Sequence, residues 1–140
     1  MKMTEATRIV LREVKEILKE AGMVNGRTTT DSKDVTKVKY YYNRGEKITE
    51  DGTETIVIYG IASLMGTGRA DGENFGYMAD VAIDIFTHQD GQSGKIIDLI
   101  QRIEDAGLKK GYFLEQDSQE TFDGTRVVQR LSYTLSKTVY

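Results

Sequence analysis

Apolar and polar positions change period along the chain, and each period predicts an element. From Thr4 to about Ala21, Val10, Leu11, Val14, Ile17, Leu18 and Ala21 form one helical stripe, with Arg8, Arg12, Lys15, Glu16 and Lys19 mostly toward solvent. Thr4 can cap this helix and Gly22 end it. Ile9 falls outside the stripe, as a singly exposed apolar residue or as a contact with a neighbouring subunit. From Val35 to Asn43 the period falls to two, with Val38, Tyr40 and Tyr42 on one face and Lys37, Lys39 and Tyr41 on the other. The tyrosines suit either ordinary packing on the sheet or an aromatic contact across a subunit boundary. Glu54 to Leu64 is apolar on both faces, which predicts a central strand covered on both sides, by helices or by a partner.

The clearest unit runs from Ala79 to Gly107. Val81, Ile83 and Ile85 share one face of a strand, with Asp80, Asp84 and Phe86 on the other. A short polar loop leads to Ser93, a good N-cap, and then Ile96, Leu99, Ile100 and Ile103 recur at helical spacing. Gly107 fits a left-handed closing position, with Leu108 folding back on Ile103. Strands are expected at Lys110 to Gln116 and Thr125 to Val139, joined by a turn over Ser118 to Gly124. Gln129 and Lys137 interrupt the apolar face of the last strand, so its ends are expected to be less buried than its middle.

Two stretches lack a period. Residues 23–34 and Met65 to Met78 are polar or glycine-rich and read as flexible loops, the second long enough to dock on something through Phe75 and Tyr77. Arg44 to Thr53 is a turn with Gly45 and Gly52. The expected order is α-β-β-β-α-β-β, one domain of the α+β class. Its sheet is mostly antiparallel, of about five strands, flanked by helices.

Composition narrows the function. A net charge of -3 and a pI of about 5.3 argue against a protein whose main partner is nucleic acid. With 0 cysteines there is no disulfide framework, zinc knuckle or thiol nucleophile, and reducing cytoplasm is the simple reading. No apolar run reaches the length of a membrane span, and no signal-peptide core opens the chain. The sole histidine, His88, lies in a polar loop without a histidine or cysteine partner. Gly66 to Gly72 has the glycine density of a phosphate cradle but no following lysine or helix. Asp80 and Asp84 stand about 13 Å apart along a strand, too wide for a retaining carboxylate pair, and read as solvated charges. Asp117 to Glu120 lacks the alternating ligands of a calcium loop. No active site, metal site or cofactor site is expected.

The amphipathic first helix, the long strands, the glycine-rich excursion, Val81 to Ala106 (VAIDIFTHQDGQSGKIIDLIQRIEDA) and the hairpin ending in Arg126 to Lys137 (RVVQRLSYTLSK) together resemble the tail terminator, or tail completion, proteins of long-tailed bacteriophages. The resemblance is one of layout, best from Val35 to Lys137. It implies a virion protein at the head-proximal end of the tail, assembled in the host cytoplasm as a homo-oligomer, a hexameric ring. Such a ring stops tube growth and joins the filled head, so its partners are the tail tube protein and a neck or head-completion protein. DNA passes the channel without sequence-specific binding. By analogy, Arg69, Phe75, Tyr77 and Phe122 contact the tube or neck, and Ile9, Tyr40, Tyr41 and Tyr42 contact the next subunit in the ring. The alternatives are a head-tail connector or neck protein of the same virion, and a small nucleotide-binding domain using the glycine-rich stretch.

Overall fold

The computed structural model describes residues 1–27, 37–43, 55–70, 72–88, 91–122 and 128–140. Helix α1 (Met3–Glu20) buries Ala6, Val10, Val14, Ile17 and Leu18, the predicted stripe with Ala6 added. It begins two residues earlier than expected. Lys2, not Thr4, holds the extended N-cap conformation and makes no side-chain cap, so Thr4 lies inside the first turn. Gly22 does close the helix: at φ +93 its amide donates to the Lys19 carbonyl at 3.0 Å, and the Met23 amide donates to the Leu18 carbonyl at 3.1 Å. Ile9 is half-buried and packs on the core.

Helix α2 (Gly94–Lys109) starts as expected, with the Ser93 hydroxyl accepting from the Ile96 amide at 3.4 Å. Its close falls at Gly111 rather than Gly107. Gly111 has φ +83, its amide donates to the Leu108 carbonyl at 3.1 Å, and the Tyr112 amide reaches the Gly107 carbonyl at 2.9 Å. Gly107 stays helical and buried, because there the helix presses on Leu135 and Tyr112. Leu108 is consequently turned outward, 50% exposed.

The strands are β1 (Val24–Asn25), β2 (Lys39–Tyr42), β3 (Ile56–Ala70), β4 (Glu73–Thr87), β5 (Phe113–Phe122) and β6 (Val128–Val139). They form one sheet in the order β1-β2-β3-β4-β6-β5, parallel across the first three and antiparallel through the rest. The fold is α+β, with six strands where about five were expected. Most of the expected loop over residues 65–78 is instead the far end of a β3–β4 hairpin, paired without a gap in register from Ser63↔Asp80 to Thr67↔Gly76 and again at Arg69↔Asn74. Gly66, Gly68 and Gly76 sit inside strands, where they admit close neighbours: a Cβ on Gly66 would lie 2.6 Å from Asn74 Oδ1. The expected turn over 118–124 is also partly strand, since β6 pairs β5 as far as Phe122↔Val128. Part of loop 23–34 is β1; its residues 28–34 lie outside the described residues, as do turn 44–53, Asp123-Gly124 and residues 125–127.

Both helices pack on one face of the sheet, over Val57, Tyr59, Val81, Ile83, Ile85, Leu131, Tyr133 and Leu135. A bulge between Ile61 and Ser63 shifts the register of β3. Beyond it, Met65 and Met78 face each other across the hairpin, and both are exposed. With both helices on one face, Ile58 is only half-buried and Ala62 and Ser63 are exposed, which corrects the expectation of a strand covered on both sides by helices. The polar residues of β6 have specific partners. Lys137 Nζ pairs with Glu13 at 3.0 Å and lies 5.1 Å from the centre of the Tyr112 ring, while Gln129 Oε1 accepts from the Gly91 amide at 2.7 Å. Glu16 and Glu20 of α1 meet Lys110 and Lys109 at 2.8 and 2.6 Å, which binds the ends of the helices together.

Candidate assembly surfaces

Three surfaces stand apart from the core. The first is the ribbon formed by the far ends of β3 and β4. Strand β6 leaves β4 at Tyr77↔Val139, and β2 leaves β3 at Tyr42↔Tyr59, while β3 and β4 continue to Ala70↔Glu73. The last four residues of β3 and the first four of β4 therefore extend about 13 Å beyond the β4–β6 ladder. Met65 is 64% exposed, Met78 45% and Phe75 61%. The Phe75 ring lies over Gly68, where a Cβ would come within 2.8 Å of it. Tyr77 does not belong with these contact residues. It is buried, and its hydroxyl accepts from Asn74 Nδ2 at 2.8 Å. Arg69 stands opposite Asn74 near the tip, and Phe122 stands at the far end of β5 opposite Val128, in another part of the sheet.

The second surface is a cleft of about 430 Å³ at the β1 margin, between α1 and the parallel strands. Its lining is Leu11, Arg12, Lys15, Asn25, Arg27, Tyr40, Tyr42 and Tyr59. Helical spacing brings Arg12 and Lys15 to one side of α1. Arg27 follows β1 and is held in place: its amide donates to Asn25 Oδ1 at 3.0 Å and its Nη2 to the Tyr42 carbonyl at 3.2 Å. Tyr59 lies 6.0 Å from Tyr40, edge-on, and 5.4 Å from Tyr42, ring centre to ring centre. Burial raises the pKa of the Tyr59 hydroxyl, with Tyr42 adding to the effect and Arg27 opposing it. No carboxylate lines the cleft among the described residues. Of the expected ring contacts, Tyr40 is buried in the core, Tyr41 packs on Gly26 from the opposite face, and Tyr42 is at the surface.

The third surface is the other end of the sheet. Strand β5 is its edge, and Glu115, Gln116, Asp117, Ser118 and Gln119 are all exposed there. Between β5 and α2 runs a groove of about 200 Å³, lined by Gln101, Glu104, Gln116 and Gln119 over Leu131 and Tyr133. The face away from the helices carries a ladder of hydroxyls and carboxylates. Ser132 and Ser136 donate to Asp84 and Asp80 at 2.7 and 2.6 Å, Ser63 donates to Asp80 at 3.0 Å, and Arg130 pairs with Asp84 at 3.3 Å. Asp80 and Asp84 are thus half-buried, hydrogen-bonded strand residues rather than solvated charges.

His88 sits half-buried just after β4. No group of three or more metal-binding side chains occurs among the described residues, and no described helix is long and apolar enough to cross a membrane. The glycines at 66 and 68 lie in β3, and Gly72 is followed by β4, so the helix N-terminus that a phosphate cradle needs is absent from this stretch. The cleft was not foreseen. Its residues come from α1, β1, β2 and β3, and the only local sign was a basic pair, Arg12 and Lys15, on a helix that read as solvated. No family model matches the chain, and no curated protein matches it.

Proposed function

We propose that the chain is a structural virion protein of the tail terminator type, whose copies form a hexameric ring that caps a tail tube and offers the surface for head joining. The observation that carries this reading is the apolar ribbon. A solitary globule gains nothing by holding Met65 and Met78 in water at the root of this hairpin arm and Phe75 on the two-stranded extension beyond it, whereas partner surfaces cover them. The strand margins add support. Strand β5 along its length and β3 beyond Tyr59 present backbone groups that no neighbouring strand of the described sheet pairs. A ring is made by joining one such margin to a different surface of the next copy.

The ribbon, with Phe75, then meets the tube or neck, and the margins, with Tyr42, make the ring. Tyr77 and Tyr40 act from within, as packing that holds the ribbon root and the cleft. The test is electron microscopy with sedimentation analysis of the protein alone and mixed with tail tubes. Rings, or caps at one end of each tube, are expected. Strictly monomeric behaviour in both settings overturns the reading.

A further inference from the structure

The two ends of the sheet carry opposite charge. At the β1 margin, Arg12, Lys15 and Arg27 converge on one cleft with no carboxylate in its lining among the described residues. At the β5 margin, Glu104 lines the groove, Glu115 and Asp117 are exposed on the edge strand, and no Lys or Arg occurs from Phe113 to Phe122. Charges of one sign gathered at one margin select a partner surface of the other sign. This chain supplies such a surface itself.

We infer that the Arg12–Lys15–Arg27 cleft receives the acidic β5 margin of a second copy. The inference rests on the ring reading and names the surfaces that meet. Because β1 and β5 end the sheet on opposite sides, the contact is heterologous, and each copy keeps one free cleft and one free margin until a ring closes. Arg27 is prepared for the contact, since its bonds to Tyr42 and Asn25 fix its backbone and guanidinium before a partner arrives. A guanidinium so held pairs with a carboxylate such as Glu115 through parallel hydrogen bonds. The Tyr42 ring, 37% exposed at the mouth, offers flat contact area beside the charges. Gln116 and Gln119 of the incoming margin bring amides able to bond the cleft's hydroxyls.

A charge exchange read by sedimentation velocity tests this. One variant carries Arg12→Glu and Arg27→Glu, the other Glu104→Lys and Glu115→Lys. Each alone is expected to weaken self-association at least about tenfold, with the circular dichroism of the parent. Mixed, the two are expected to form complexes of parental size, because each supplies the sign the other lacks. If either variant assembles as the parent does, the contact is wrong while the ring stands. If both dissociate and the mixture does not recover, the cleft serves another anion and the inference falls. If the parent itself is monomeric at every concentration, the ring reading fails and takes the contact with it. Lys15→Glu with Asp117→Lys repeats the exchange at independent positions should a reversal disturb folding.

Discussion

At the scale of residues, the Tyr112–Glu13–Lys137 cluster shows how buried polar groups are satisfied in this core. The Tyr112 hydroxyl donates to Glu13 Oε1 at 3.2 Å, and Lys137 Nζ reaches both Glu13 oxygens at 3.0 and 3.2 Å. Burial, and then the Glu13 carboxylate, raise the pKa of Tyr112 far above the ordinary value of 10.0; burial raises that of Tyr59 and Tyr133 too. Below the unfolded value the stabilisation is complete; above it, the unfolded chain releases protons that the native state retains, and stability falls as pH climbs toward the folded values. The slope is up to about 1.4 kcal/mol per pH unit for each such tyrosine. Urea midpoints measured from about pH 9 to about pH 12 are expected to drop steeply, and less steeply for Tyr112→Phe. Glu13→Ala leaves both partners short of an acceptor and is expected to cost about 1–3 kcal/mol at neutral pH in the same assay. Lys137 read from the sequence as an interruption of an apolar face, because its partner stands 124 residues away and no local pattern holds that information.

At the scale of elements, periodic stretches were legible and aperiodic ones were not. The stripe of α1, the alternation of β4 and β6, and Ser93 as a cap are all written locally, since burial on one face repeats with the period of the element. The ribbon was misread as a loop because glycine weakens strand propensity, while what keeps this stretch extended is its cross-strand partner. Gly76 makes the point. A Cβ there would stand 2.4 Å from the Val139 carbonyl oxygen, a backbone atom that cannot swing aside. Gly76→Ala is therefore expected to pry β6 from β4 at Tyr77↔Val139, with a cost of about 1–3 kcal/mol visible as a lower thermal midpoint. The exposed side chains of the ribbon predict the reverse pattern. Replacing Met65, Phe75 and Met78 together by serine removes contacts already open to water, so stability is expected to hold within about 1 kcal/mol. Binding to tail tubes, measured by co-sedimentation, is expected to be lost.

At the scale of the whole molecule, the segregation of surfaces matters more than the net charge of -3. Composition correctly described an acidic chain but averaged away a cleft whose cations come from separate segments, Arg12 and Lys15 from a helix and Arg27 from the turn after a short strand. Only the fold brings them together, so the candidate site was far less legible than the fold class. The separation also divides the expected contacts by their physics. In the proposed assembly, joints between copies rest on the opposed charges of the margins, and contact with the tube rests on the apolar ribbon. Salt acts on these in opposite directions. The screening length shrinks from about 10 Å at 0.1 M to about 3 Å at 1 M, which weakens charge pairing at a solvated margin. A strongly hydrated salt such as sulfate strengthens apolar burial. Raising ammonium sulfate is therefore expected to shift the protein alone toward smaller species while tightening the hold of the ribbon on tail tubes. Sedimentation velocity of the free protein, run beside co-sedimentation with tubes at the same salt, reads both responses. If both associations strengthen together, the joints between copies are apolar and the division of labour between margins and ribbon is wrong.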